Sequence, residues 1–296
     1  MENSSVLVIG IGAVGSAFLE NSIGFFKKVG VFDGDIISKN NLSNQPFYRD
    51  CDLALPTSKV PFALKKIGTL DTATEYKAYE RYFTRSDFEI MKDYDLILDF
   101  TDNIKSRLII NEGCVKMGKQ GVFVSLNEKE GLLYFYRKGA CFNCILRNSA
   151  GHIKEGCESI TSAPEKDFLE FLTQNIFEFY SDKTDGGKIK IFNLKTKKVL
   201  SSAIKQDPEC EVCVKHVTNK VGNEFLQICS SGIKFSYGKE VDLNRLSSLL
   251  NGSKLYGEHL LFNNENKSIL ISAEGDFLFT GYTKDEAESL LSFCIS

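Results

Sequence analysis

No apolar run among these 296 residues approaches the roughly 18–20 needed to span a bilayer, so no transmembrane helix is expected. Excess charge is missing too. The 36 Lys and Arg against 39 Asp and Glu leave a net charge of −3 and a pI near 5.8. That balance offers no electrostatic basis for a nucleic-acid partner or for binding an anionic membrane. A basic leader is absent: the N-terminus carries Glu2, and its first apolar segment runs straight into a glycine loop. No secretory signal is expected, and the sequence reads as cytoplasmic. Internal repeats and low-complexity tracts are lacking as well. What remains is the composition of a globular protein, 43% apolar and 25% charged, long enough to form two domains.

Cysteine is not scarce. Nine would be many for a cytosolic chain if they were scattered, but four fall in the pairs Cys141-x-x-Cys144 and Cys210-x-x-Cys213. Two chelating thiolate pairs close a tetrahedral Zn²⁺ site with no open position. A redox or disulfide role is the alternative. Cys51, Cys114, Cys229 and Cys294 read as core or surface thiols, and Cys157 stands alone in a polar stretch from Asn148 to Pro164.

The chain is organised around its start. Val6-Leu7-Val8-Ile9 leads into Gly10-Ile11-Gly12-Ala13-Val14-Gly15, and Lys28 to Phe32 ends in Asp33. A strand, a Gly-x-Gly-x-x-Gly turn, a helix and an acidic residue about 20 positions on form the dinucleotide-binding fingerprint. The helix N-terminus then faces an anion. A glycine-rich turn that binds nothing is the plainer alternative. Apolar runs and breakers predict further α/β units: a long irregular polar loop over 34–50, a helix over 59–67, a strand over 76–79 and a helix over 85–91. Next come a buried strand over 96–100, a helix over 105–118, strands over 121–126 and 131–136, an amphipathic helix over 166–180 and a hairpin over 189–200. The fold class is therefore α/β: a Rossmann-like, mostly parallel sheet with helices on both faces and a structural zinc site. From about residue 220 to the end, short strands and two helices predict a small α+β domain. Ligands bind at the carboxyl edge of such a sheet, which places Asp102 where chemistry is expected. A helix N-cap is the alternative role for Asp102, and a solvated helix position is the alternative for Lys59.

Taken together the motifs resemble the ThiF/MoeB/HesA group, relatives of the ubiquitin-activating enzymes. The carrying residues are the glycine loop, Asp33 with Asp35, Asn41-Leu42-x-x-Gln45, Pro56-x-x-Lys59, Asp99-x-Thr101-Asp102-Asn103 with Arg107, and both cysteine pairs. The resemblance implies an adenylation domain over 1–216 and an appended small domain over 220–296. It implies ATP-dependent adenylation of the C-terminal glycine of a ubiquitin-like or sulfur-carrier protein ending in Gly-Gly, with ATP, Mg²⁺ and Zn²⁺ as cofactors. In its terms Asp33 holds the ribose, Asn41 and Gln45 line the nucleotide loop, Lys59 contacts the phosphates, Asp102 binds Mg²⁺ beside Asn103, and Arg107 orders the loop. Cys157 falls where some members accept the activated carrier as a thioester or acyl disulfide. The glycine turn, Lys59 and Asp102 are expected to gather positive charge.

Two departures keep a second reading open. Asn44 stands where many members carry a phosphate-binding arginine, with Arg49 as its nearest substitute, and only five residues precede the first strand. Bulky Phe171, Phe177 and Phe179 on the 166–180 helix replace the small residues of the usual homodimer face. A degenerate scaffold, or one half of a heterodimer, is that second reading. A nicotinamide-dependent dehydrogenase would rest on the glycine loop alone and leaves the cysteine pairs unaccounted for.

Overall fold

The computed structural model describes residues 4–51, 53, 57–148, 164–181, 186–217, 225–228, 232–237, 239–264 and 266–295. Its residues divide into two compact units, 1–219 and 220–296.

In the first unit, β1 (Ser5–Ile9) is followed by α1 (Ala13–Asn21), β2 (Lys28–Phe32), α2 (Lys39–Asn44) and α3 (Lys59–Gly68). Then come β3 (Glu75–Tyr79), β4 (Leu96–Asp99), α4 (Ile104–Met117), β5 (Gln120–Leu126) and β6 (Glu130–Tyr136). The unit closes with α5 (Phe142–Asn148), α6 (Lys166–Ser181), β7 (Lys188–Asn193) and β8 (Val199–Ala203). The eight strands form one sheet in the order β3-β2-β1-β4-β5-β6-β7-β8. β3, β2, β1, β4 and β5 pair in parallel, and β6, β7 and β8 add antiparallel to that half. Strand order reverses between β1 and β4, which creates the crevice where α/β sheets bind ligands.

Period-two alternation splits the apolar strands cleanly. Val6, Val8, Val29, Val31, Leu96 and Leu98 face a core closed by Phe18, Val60, Phe168 and Ile176, from α1, α3 and α6. Leu7, Ile9, Phe32, Ile97 and Phe123 face the opposite core, closed by Met91, Ile110, Cys114 and Phe142. Both faces are covered, so β1 and β4 read as unbroken apolar runs.

Two elements differ from expectation. The 34–50 stretch holds the helix α2 and a 3-10 turn, Pro46–Tyr48. Asparagine and serine usually break helices, but here Ser38 and Asn41 form a reciprocal capping box that nucleates one. The expected helix over 85–91 is a 3-10 helix, Arg85–Asp93, started by a Thr84–Asp87 box. The phenylalanines of α6 find partners within this unit: Phe177 packs on Phe25 at 4.5 Å and Phe171 on Phe192 at 4.8 Å.

The second unit is an antiparallel sheet of β9 (Phe225–Ile228), β10 (Gly232–Ser236), β11 (Lys254–Tyr256), β12 (His259–Asn264), β13 (Lys267–Ser272) and β14 (Asp276–Thr280). The order is β11-β12-β13-β14-β10-β9. Leu246 of α7 (Leu243–Leu249) and Leu291 of α8 (Lys284–Ile295) join its core with Phe235, Ile271 and Phe277. Asp242 caps α7 by accepting from the N–H groups of Asn244 and Arg245. Among the described residues, no helix is long and apolar enough to cross a membrane.

Candidate nucleotide site and metal centre

The glycine loop has little freedom. Gly10 sits at φ +89°, and a Cβ there would come within 3.1 Å of the Phe100 carbonyl and the Thr101 nitrogen. A Cβ on Gly15 would lie 2.1 Å from the Gly10 oxygen, so only glycine lets α1 dock against the turn. Gly12 is different, because nothing lies within 4 Å of where its Cβ would be. It also forms the N-cap of α1 without a side-chain acceptor, and the first turn carries no acidic residue. The leading N–H groups of α1 thus have no side-chain cap, and a helix N-terminus of this kind can receive a phosphate. Gly15→Ala is expected to destabilise the fold by about 2 kcal/mol or more in urea denaturation, because a backbone carbonyl cannot yield. Gly12→Ala should melt like the parent yet lose nucleotide binding, measured by calorimetry.

At the end of β2, Asp33 is 8% exposed and uses both oxygens on backbone: Ile11 N–H at 2.8 Å and Asp35 N–H at 2.8 Å. It ties the glycine turn to the loop after β2. Burial pushes its carboxyl up to about 6, with Asp35 adding to the rise and Lys59 and the two N–H donors opposing it. A raised acid is proton-hungry in the folded state. Its contribution to stability is complete below about pH 4 and is lost as the pH rises through 6. Asp33→Asn should flatten that part of the stability profile, and a carboxyl ¹³C titration should place the Asp33 midpoint near 6.

Lys59, the first residue of α3, is 4% exposed, so it is no solvated helix position. Its ammonium lies 2.7 Å from Asp35 Oδ2. Burial alone would pull it down, but Asp33, Asp35 and Asp102 together hold it above the ordinary lysine value. Asp102 itself is exposed at the end of β4 and is not the helix cap. Asn103 is: its Oδ1 accepts from Ser106 N–H at 2.8 Å. Arg107 is buried, and one of its Nη atoms donates to the carbonyls of Thr101 and Val124, the latter at 2.6 Å. The arginine thus locks the turn that carries Asp102. Lys59 is thus paired with Asp35 and lies within the electrostatic reach of Asp33 and Asp102.

In the loop after β2, Asn41 spends its side chain on the capping box, accepting from Ser38 N–H at 2.8 Å. Gln45 closes α2, and among the described residues its buried Oε1 has no hydrogen-bond partner, so it is an acceptor that a ligand donor could satisfy. Arg49 is exposed just beyond. Cys157 lies outside the described residues. Sequence reasoning missed three side chains at these sites. Tyr48 donates to the Ile11 carbonyl at 2.6 Å, Tyr82 donates to Asp35 Oδ1, and Asn111 donates to Cys141 Sγ in the cysteine cluster. None sits in a local motif.

The cysteine pairs converge. The Sγ atoms of Cys141, Cys144, Cys210 and Cys213 all lie within 4.8 Å of one another, with Cys141–Cys210 at 3.7 Å and Cys144–Cys213 at 3.5 Å. A disulfide needs about 2.05 Å, whereas a ZnS₄ tetrahedron with ~2.3 Å bonds has edges of ~3.8 Å. N–H donors surround the sulfurs: Asp207 N to Cys144 at 3.5 Å, and Asn111 Nδ2 to Cys141 at 3.5 Å. The Oδ1 of Asn111 in turn accepts from Phe142 N–H at 2.8 Å and so fixes the start of α5. Asn111 lies on α4, 30 residues before Cys141, beyond the reach of spacing rules.

The ThiF family model matches residues 1–232, most of the chain and the whole of this site. The chain belongs to the ThiF family. A Dictyostelium discoideum protein named adenylyltransferase and sulfurtransferase MOCS3 is 27% identical over 94% of this ThiF-family chain and 67% of its own length. The Thermus thermophilus sulfur carrier protein adenylyltransferase is 28% identical over 49% of this chain and 56% of its own. An Arabidopsis thaliana MOCS3 is 34% identical over 48% of this chain and 31% of its own. The chain therefore spans only part of the length of most of these curated relatives. Among solved structures, Escherichia coli MccB superposes with a TM-score of 0.56 at 14% identity, covering 75% of this chain and 68% of that one. A PaaA structure gives 0.54 at 17% identity, covering 68% and 64%. At such identities the likeness is one of fold.

Proposed function

We propose that this ThiF-family chain adenylates the C-terminal glycine of a ubiquitin-like or sulfur-carrier protein at the expense of ATP. The observation that carries the reading is the open, uncapped N-terminus of α1 at Gly12, beside Lys59 and Asp102 on the same sheet edge. Relatives named as adenylyltransferases of sulfur carriers support it, and MccB, which shares the fold, has been crystallised with ATP.

The reaction sets two anions against each other. The carrier's terminal carboxylate attacks the α-phosphorus of ATP, an acyl–phosphate bond forms, and the bond to the β-phosphate breaks to release pyrophosphate. The α1 amides hold phosphate oxygens, Lys59 meets the developing charge, and Asp33 receives the ribose. With Asp33, Asp35 and Asp102 nearby, the triphosphate needs added positive charge. Asp102 would hold a Mg²⁺, which neutralises the phosphates when bound. The four thiolates would hold a structural Zn²⁺. The fit of an adenine nucleotide rests on the orphaned Gln45 Oε1 and the vacant face of Gly12. Domain 1–216 does this work in our reading, domain 220–296 is an appendage to it, and Cys157 receives the acyl group as AMP leaves.

The test is ATP–pyrophosphate exchange with a Gly-Gly-ended carrier. Exchange that requires the intact terminus is the expected result, and exchange indifferent to the carrier would sink the reading. The second reading is a subunit that binds carrier without turning over, alone or in a heterodimer. Asn44 in place of the arginine favours it. It predicts tight carrier binding with no exchange in any pairing.

A further inference from the structure

Lys59 poses a problem of aim. It stands at the N-terminus of α3, where the helix dipole disfavours a cation, and its ammonium ends a flexible four-carbon stem. Such a group presents its charge at one point only if its partner is itself immobile. That partner is Asp35, held from three sides. Its N–H donates to Asp33 Oδ1 at 2.8 Å, and its carbonyl accepts from Lys59 N–H at 3.0 Å. Its two carboxylate oxygens are divided between Lys59 Nζ, at 2.7 Å on Oδ2, and the Tyr82 hydroxyl, on Oδ1.

Tyr82 is fixed in turn. Its ring lies over the α-carbon of Gly34, so closely that a Cβ there would come within 2.4 Å of ring carbon Cδ2. The contacts form one chain from Tyr82, just past β3, through Asp35 and Asp33 to Ile11 in the glycine loop. The carboxyl ends of β3, β2 and β1 are tied through it, with Lys59 as its cationic branch.

We propose that Tyr82 is a positioning residue: by holding Asp35 Oδ1 it fixes the carboxylate that aims the Lys59 ammonium at the nucleotide site. Its role in the reaction rests on the adenylation reading; the contact itself does not. Tyr82 need not touch ATP. Gly34 is glycine for the same reason, since any side chain there would displace the ring.

The experiment has two arms, both on the full chain, using Tyr82→Phe. This variant keeps the ring over Gly34 and removes only the hydroxyl. The first arm needs no activity. In a lysine-selective ¹⁵N spectrum the Lys59 ammonium, assigned by its loss in Lys59→Arg, should give a slowly exchanging signal. Its exchange with water should speed up about tenfold in Tyr82→Phe, the scale of one hydrogen bond to a charged group. Unchanged exchange would overturn the proposal, whatever the nucleotide data say. The second arm measures kinetics. KM for ATP should rise about tenfold while KM for the carrier holds, a split that a general loss of folded protein would not produce. Equal rises in both KM values, or no rise in either, would overturn the positioning role. Failure of the parent chain to turn over would count against the adenylation reading alone, leaving the first arm to judge the contact.

Discussion

Lys59→Met lowers carrier-dependent pyrophosphate exchange by about 10³-fold, the scale on which one preorganised charge at a reacting phosphate acts. The difficulty is separating that loss from damage to the fold. Lys59 is a buried cation facing Asp33 and Asp35, and removing it takes away the positive charge that it sets against them. We expect a cost of about 2–3 kcal/mol, the low end for a broken buried pair, because the Asp35 side chain is 34% exposed and partly solvated. The double variant Lys59→Met with Asp35→Asn resolves the ambiguity. Neutralising both partners together should return most of the urea midpoint, since the surviving amide keeps an acceptor for Tyr82. Exchange should stay near the single-variant level. If activity returned along with stability, Lys59 would be a structural group, and the chemistry would have to run without it.

The charge balance of the edge gives that result a wider meaning. Three carboxylates around one ammonium form a poor cradle for a triphosphate until positive charge is added. The α1 amide groups supply part of it through the dipole, which falls off within the first turn. A site built this way binds nucleotide weakly without a divalent cation and needs its one lysine held in place. The pairing of Lys59 with Asp35 costs net charge but provides that placement, and a ligand phosphate can share the ammonium without breaking the pair.

Much of this was readable in the chain. The unbroken apolar runs Val6–Ile9 and Leu96–Leu98, the three glycines and the position of Asp33 all depend on neighbours a few residues apart, so local pattern finds them. The reading failed where the physics was non-local or where one residue type has two uses. Asparagine in 34–50 reads as a breaker, yet Asn41 closes a capping box and Asn103 caps α4 in place of its neighbour Asp102. Tyr82 and Asn111 act on partners 47 and 30 residues away, and nothing in their surroundings announces this.

Loss of the proposed zinc should have the largest effect on stability. The two thiolate pairs are joined through a long stretch of chain, Cys141 and Cys210 being 69 residues apart, and that stretch contains α6 and the β7–β8 hairpin. Closing a loop of this size by a covalent-like clip is worth about 4 kcal/mol of chain entropy. Binding of zinc by four thiolates exceeds that figure, because deprotonation and folding are coupled to it. In Cys210→Ser, or after stripping with a strong chelator, we expect about one equivalent of zinc to be lost per chain and the unfolding midpoint to fall by an amount equivalent to several kcal/mol. The damage should be graded by position. β8, exposed along its whole length and, among the described residues, paired with β7 alone, should lose amide protection first, and then β7. β1 and β4, buried at the centre of the sheet, should keep theirs longest. Hydrogen exchange read by mass spectrometry distinguishes this order from uniform melting. A metal-free protein with unchanged protection in β7 and β8 would show that the four sulfurs do not clip the chain. Recovery of the midpoint on oxidation, with a mass loss matching paired thiols, would instead favour the redox alternative that their 3.5–3.7 Å separations now argue against.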